Sequence, residues 1–127
     1  TSCYAALHRS QTEGEGMEQI VEQGMLYDFY GPLLTKHQQE VYELVVYQNL
    51  SLNEIAEQKN ISKQAVSDLI RRATTQMRGY EKSLGMIERF RRIQKSCERL
   101  LEEADRLQDC AEAEKLRSIA QEIRTEL

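Results

Sequence analysis

The sequence predicts an all-α protein: a helix-turn-helix domain followed by long C-terminal helices. Three observations lead there. The 127 residues hold one proline, six glycines and no tryptophan, and 30% of them are charged. That composition suits a helix-rich protein rather than a sandwich, a barrel or a disordered linker. From Met17 onward the apolar residues recur at three- and four-residue steps, the period of a helix with one buried face. Ser, Thr and Asn stand where those helices begin and end, as capping requires.

The first segment, residues 1–16, carries no helical period and closes on Glu13-Gly14-Glu15-Gly16. It has no cationic stretch leading into an apolar one, so it does not read as a signal peptide. It reads as a flexible tail or an expression-derived leader, and we set it apart from a domain expected over residues 17–85. There, Ile20, Val21, Met25, Leu26, Phe29 and Tyr30 form the stripe of a first helix. Gly31-Pro32 stops it, because proline disfavours helical geometry in the residue before it. Thr35 with Gln38 makes a capping box for a second helix, whose buried face is Val41, Leu44, Val45 and Tyr42. Asn49-Leu50 ends that helix, and Ser51 with Glu54 opens a short third one carrying Leu52, Ile55 and Ala56.

The stretch from Leu52 to Arg71 is the most informative. Asn60 falls where a left-handed residue is needed, a conformation asparagine tolerates. Ser62 then caps a fourth helix through Val66, Leu69, Ile70 and Ala73. Ala56 is small where two helices cross, and Ile55, Ile61, Val66 and Leu69 fill the space between them. This is helix-turn-helix spacing. Lys59 stands where an apolar residue is usual, and its stem can lie over a core edge.

In such a unit the second helix enters a major groove and reads bases from its N-terminal half. The outward positions are Ser62, Lys63, Gln64, Ser67, Asp68 and Arg71, with Arg72 beside them. Gln64 suits adenine, Lys63, Arg71 and Arg72 suit phosphate or guanine, and Asp68 suits a cytosine amino group. The same positions also fit an ordinary solvated helix face, and helix-turn-helix folds serve as protein-contact modules too.

Net charge is −4, which taken alone argues against a polyanionic ligand. Local counting reverses that. From Arg71 to Lys95 the residues Arg71, Arg72, Arg78, Lys82, Arg89, Arg91, Arg92 and Lys95 face only Glu81 and Glu88, a net +6. From Glu98 to Leu127 five basic residues meet nine acidic ones, a net −4. A basic belt of this kind holds phosphate in a salt-dependent way. The competing reading pairs the belt with the acidic tail or with a partner's acids.

Past Gly85, Met86, Phe90, Ile93, Cys97, Leu100, Ala104 and Leu107 alternate four- and three-residue steps, the spacing of a coiled-coil seam. Asp109 with Glu112 suits a new helix start, followed by Leu116, Ile119, Ala120, Ile123 and Leu127. We read residues 86–127 as a helical hairpin and oligomerisation element, with one long helix as the alternative. Met86, Phe90, Ile93, Leu100 and Leu107 are the residues expected to meet a second copy, most simply in a two-fold homodimer.

Other classes fit poorly. No run of apolar residues approaches the roughly 20 that a membrane span needs. Cys3, Cys97 and Cys110 show no CxxC spacing, and only His8 and His37 exist to complete a metal site, so neither a disulfide framework nor a metal is expected. Cys97 and Cys110 read as small apolar fillers. No phosphate-binding glycine loop or nucleophile–base set is present, so we expect no enzyme, no cofactor and a cytoplasmic setting.

The string from Tyr27 to Glu81 resembles the YlxM family of small bacterial proteins. The marks are Phe29-Tyr30, Leu33-Leu34-Thr35, Gln38, Ser51-Leu52, Glu54-Ile55-Ala56, Ser62, Gln64-Ala65-Val66, Asp68, Ile70, Arg71-Arg72 and Tyr80-Glu81 with Leu84. They cover most of Met17 to Met86. A more distant likeness links the same unit to the region 4 helix-turn-helix of sigma-70 factors. The YlxM resemblance implies a helix-turn-helix regulator associated with the signal recognition particle pathway. Its partners would be the particle's RNA or its GTPase. Two competing functions are a sequence-specific DNA-binding regulator and a pure protein-interaction module.

Overall fold

The computed structural model describes residues 15–107 and 110–127. Among them no strand forms, and no helix is long and apolar enough to cross a membrane. The chain divides into two compact units, one ending at Gly85 and the other running from Met86 to Leu127. In the first, α1 (Glu15–Tyr30) leads through a 3-10 turn (Gly31–Leu33) to α2 (Lys36–Val46), α3 (Leu52–Lys59) and α4 (Lys63–Leu84). The second holds α5 (Met86–Arg106) and α6 (Ala111–Glu126). The first helix starts at Glu15, inside the segment that sequence set apart; residues 1–14 of that segment lie outside the described residues.

The helix starts follow from local chemistry. Thr35 and Ser51 each accept a hydrogen bond from the backbone N–H three residues on, while Gln38 and Glu54 reach back to the cap N–H. Both expected capping boxes therefore form. They satisfy donors that a helix end would otherwise leave unpaired. Three residues take positive φ where helices end, Asn49 (φ 53°) after α2, Asn60 (φ 55°) after α3 and Gly85 (φ 60°) after α4. At Gly31 the packing is tight: a Cβ there would stand 3.0 Å from the Tyr27 ring. Gln39 supports the same turn, donating to the carbonyls of Gly31 (2.9 Å) and Leu34 (3.2 Å).

Large side chains build the first unit's core. Tyr30, Tyr42, Met25, Ile55, Met77, Val41 and Val66 are fully buried. Tyr27 stacks on Tyr42 with ring centroids 5.5 Å apart and donates to Glu43 at 2.6 Å. Thr74 gives its hydroxyl proton to the Ile70 carbonyl (2.7 Å), so the Tyr42 hydroxyl, 2.7 Å from Thr74 Oγ1, is the donor in that pair. Burial pushes the Tyr42 phenol up in pKa, and burial with the Glu43 carboxylate does the same to Tyr27. The expected stripe on α1 is shifted: Ile20 is 40% exposed, whereas Tyr27, left out of the stripe, is buried. Tyr27 is covered by the Tyr42 ring of α2.

The second unit is a hairpin. Arg117 binds Asp105 at 2.9 Å, while Ile123 shares a groove with Ile93, Cys97 and Leu100. Later residues of α6 thus meet earlier residues of α5, which makes the pair antiparallel. Its buried positions are small: Cys97, Ala104, Ala113 and Ala120, joined by Ile87. The expected cap Asp109 lies outside the described residues, and Cys110 occupies the N-cap of α6, its Sγ accepting from the Ala113 N–H at 3.4 Å. Cys97 is a buried filler as expected; Cys110 is instead a cap.

Candidate nucleic-acid interface

The candidate reading element is set by the turn between α3 and α4. Asn60 donates from its backbone N–H to the carbonyls of Ala56 and Glu57, and Ile61 donates to Ala56 at 3.1 Å. These bonds consume the last carbonyls of α3 and turn the chain sharply. Ser62 restarts it, its Oγ accepting from the Ala65 N–H at 3.0 Å. Ile55, Val66, Ile70, Ala73 and Met77 then hold α4 against the rest of the unit. Ile61 and Leu69 are half-buried rather than central. Lys59, the residue that departs from the usual pattern, is half-buried and reaches Glu40 at 3.4 Å.

With that face inward, Ser62, Lys63, Gln64, Arg71 and Arg72 are exposed and Ser67 is half-buried. One carboxylate organises the face. Asp68 Oδ1 accepts from Gln64 Nε2 at 3.1 Å and from an Arg71 guanidinium nitrogen at 2.9 Å. Two candidate base readers are therefore tied to one acid a single turn away, while Lys63 and Arg72 have no ion pair among the described residues. Sequence assigns Gln64, Asp68 and Arg71 separate roles and misses their link, although residues three and four apart share a helix face and the spacing could have signalled it.

The basic belt is not one feature. On α4, Arg78 is clamped to Glu22 of α1 by two bonds, 2.8 and 3.3 Å, which also raise its already high pKa. Its role in the fold is to bind two helices, and a phosphate would have to displace Glu22. Lys82 is exposed. On α5, Arg89, Arg91, Arg92 and Lys95 are exposed and make no ion pair among the described residues. The hairpin's acids pair elsewhere: Asp105 and Glu114 with Arg117, and Glu103 with Arg106. Arg89 and Arg92 border the groove that contains Ile93, Leu100 and Ile123, whereas Arg91 and Lys95 do not. Of the expected oligomerisation residues, Met86 and Leu107 are exposed and Phe90, Ile93 and Leu100 are half-buried. Among the described residues no three His, Cys, Asp or Glu side chains gather to hold a metal.

Residues 17–119 match the model of the UPF0122 family, described as "Putative helix-turn-helix protein, YlxM / p13 like". The chain belongs to this family. Relatives carry the same family name. A UPF0122 protein of Desulforamulus reducens is 42% identical over 80 residues, 63% of this chain and 68% of that protein. One from Symbiobacterium thermophilum is 39% identical over 90 residues, covering 71% and 84%. One from Thermoanaerobacter is 32% identical over 103 residues, covering 81% and 88%. The UPF0122 match thus takes in the helix-turn-helix unit and continues through α5 into α6.

Proposed function

We propose that this UPF0122 protein is a nucleic-acid-binding regulatory protein that addresses a duplex with the N-terminal half of α4. The observation that carries the reading is the α3–Asn60–α4 geometry. It buries Val66 and Ile70 and leaves Lys63, Gln64, Arg71 and Arg72 exposed on one segment. A helix of this kind fits a major groove with its N-terminal residues at the base edges. Membership of a helix-turn-helix family supports the same reading.

A second reading places the protein in the signal recognition particle pathway, as the YlxM resemblance implies, with the particle's RNA as ligand. The observation favouring it is the set of exposed α5 cations that make no ion pair among the described residues, Arg91 and Lys95 above all. Phosphate contacts need no major-groove access and suit structured RNA.

Fluorescence anisotropy at fixed salt separates the two, with a selected duplex, a random duplex and the particle RNA as probes. The first reading expects the selected duplex to bind well above the random one, with that preference lost in Gln64→Ala. The second expects RNA binding that is lost in Arg91→Glu and untouched by Gln64→Ala. Absence of binding to all three probes at low salt overturns both and leaves a protein partner, the particle GTPase included.

A further inference from the structure

An acid stands in the middle of the face that the duplex reading turns toward base edges. The Asp68 side chain is 35% exposed, against 71% for that of Arg71, and Gln64 is exposed as well. Asp68 Oδ1 accepts from both neighbours at once, from Gln64 Nε2 at 3.1 Å and from Arg71 Nη2 at 2.9 Å. Steps of four and three residues put the three side chains on one face of α4. A carboxylate brought up to backbone phosphates repels them, so this acid needs a use other than backbone contact.

We infer that Asp68 is a positioning residue: it fixes which base Gln64 reads and holds Arg71 back from phosphate. The inference rests on the duplex reading proposed above. A side-chain amide nitrogen carries two hydrogens, and Asp68 takes one of those on Gln64. Gln64 then offers a ligand one N–H and its Oε1 acceptor, neither of which has another bond among the described residues. That pair matches adenine, whose major-groove edge shows the N6 donor beside the N7 acceptor. Guanine shows two acceptors there, N7 and O6, and a Gln64 held in this way sets Oε1 against one of them. An amide released from Asp68 can turn and offer guanine both hydrogens. The carboxylate thus acts on base choice without touching a base. Toward Arg71 it acts on charge. A guanidinium paired with a carboxylate brings no net charge to the groove, and phosphate binding depends on that charge. Lys63 and Arg72, which have no ion pair among the described residues, hold the backbone instead. Binding common to all sequences stays weak while the base contact keeps its full strength, and the difference between the two is specificity.

Selection of the full chain on a random-sequence duplex library, followed by fluorescence anisotropy over a salt series, tests this. The native chain is expected to prefer adenine to guanine about tenfold at the position where Gln64→Ala loses the preference. In Asp68→Ala that preference should fall severalfold. Affinity for a random duplex should rise at the same time, with a salt slope steeper by about one, the mark of one added phosphate contact. Simple damage to α4 would instead weaken binding to every duplex, and circular dichroism establishes that each variant folds. Glu57→Ala removes the same charge from an exposed position on α3 that has no side-chain partner among the described residues, and should leave the base preference unchanged. The inference is overturned if Asp68→Ala keeps the native preference, if its random-duplex affinity falls along with the preference, or if Glu57→Ala shows an equal loss. A native chain that selects no duplex overturns the duplex reading itself, and this inference with it.

Discussion

The two units solve the same problem, burying one face of each helix, with opposite means. The helix-turn-helix unit buries its largest side chains, Tyr30, Tyr42, Met25, Ile55 and Met77, and needs nothing further to cover them. The hairpin buries Cys97, Ala104, Ala113 and Ala120 and leaves Ile119 and Ile123 in solvent. Small residues let two helices approach closely but remove little apolar area from water, and stabilisation scales with that area. The first unit is thus packed around large side chains, although Ile20, Leu33, Tyr47 and Leu84 stay exposed on it, and the second is packed around small ones.

The largest expected break in that comparison is Ile55→Ala, which opens a cavity beneath α4. It should cost about 2–5 kcal/mol, and hydrogen exchange should show protection lost across α1 to α4 and kept in α5 and α6. Loss in both units would mean that they do not fold independently. Gly31→Ala pushes a methyl against the Tyr27 ring, and we expect a loss of about 1–3 kcal/mol in urea melts, as for other overpacked sites.

A pH effect comes next. The folded state holds Tyr27 and Tyr42 above their ordinary value of 10.0, so above that pH the unfolded chain releases protons that the folded chain keeps. Stability is full below about pH 10 and falls above it, by about 1.4 kcal/mol per pH unit per tyrosine. Tyr27→Phe should make the fall shallower, and the hairpin, which has no tyrosine, should not take part.

Smaller still, Ser62→Ala removes the cap of α4, with an expected cost of about 1 kcal/mol. In a duplex-binding assay it should weaken affinity through fraying of the reading turn. Arg117→Ala, which removes the hairpin's bonds to Asp105 and Glu114, should cost only about 0.2–1 kcal/mol. A larger loss would show that polar bonds, rather than close helix approach, hold the second unit.

The devices legible in the sequence are those whose partners lie within one helical turn. The capping boxes at Thr35 and Ser51, the left-handed Asn60 and the Ser62 cap all connect residues three or four apart. What escaped was the set of contacts that close over long separations. Tyr27 finds Glu43 sixteen residues away, Tyr42 finds Thr74 thirty-two away, and Arg78 finds Glu22 fifty-six away. No periodicity signals such a pair, because each partner alone looks like an ordinary polar or aromatic position. Arg78 is the telling case: by composition it joined a basic belt, and by packing it is a clamp.

The sequence by itself therefore determined the helical class, the helix ends and the spacing that makes a helix-turn-helix, since these depend on local backbone hydrogen bonding and a 3.6-residue period. Only the tertiary structure decided which of the belt's cations are engaged and which apolar stripe stays outside. Charge and apolar counts register how many such groups exist, whereas burial and pairing depend on what the folded chain brings against each of them.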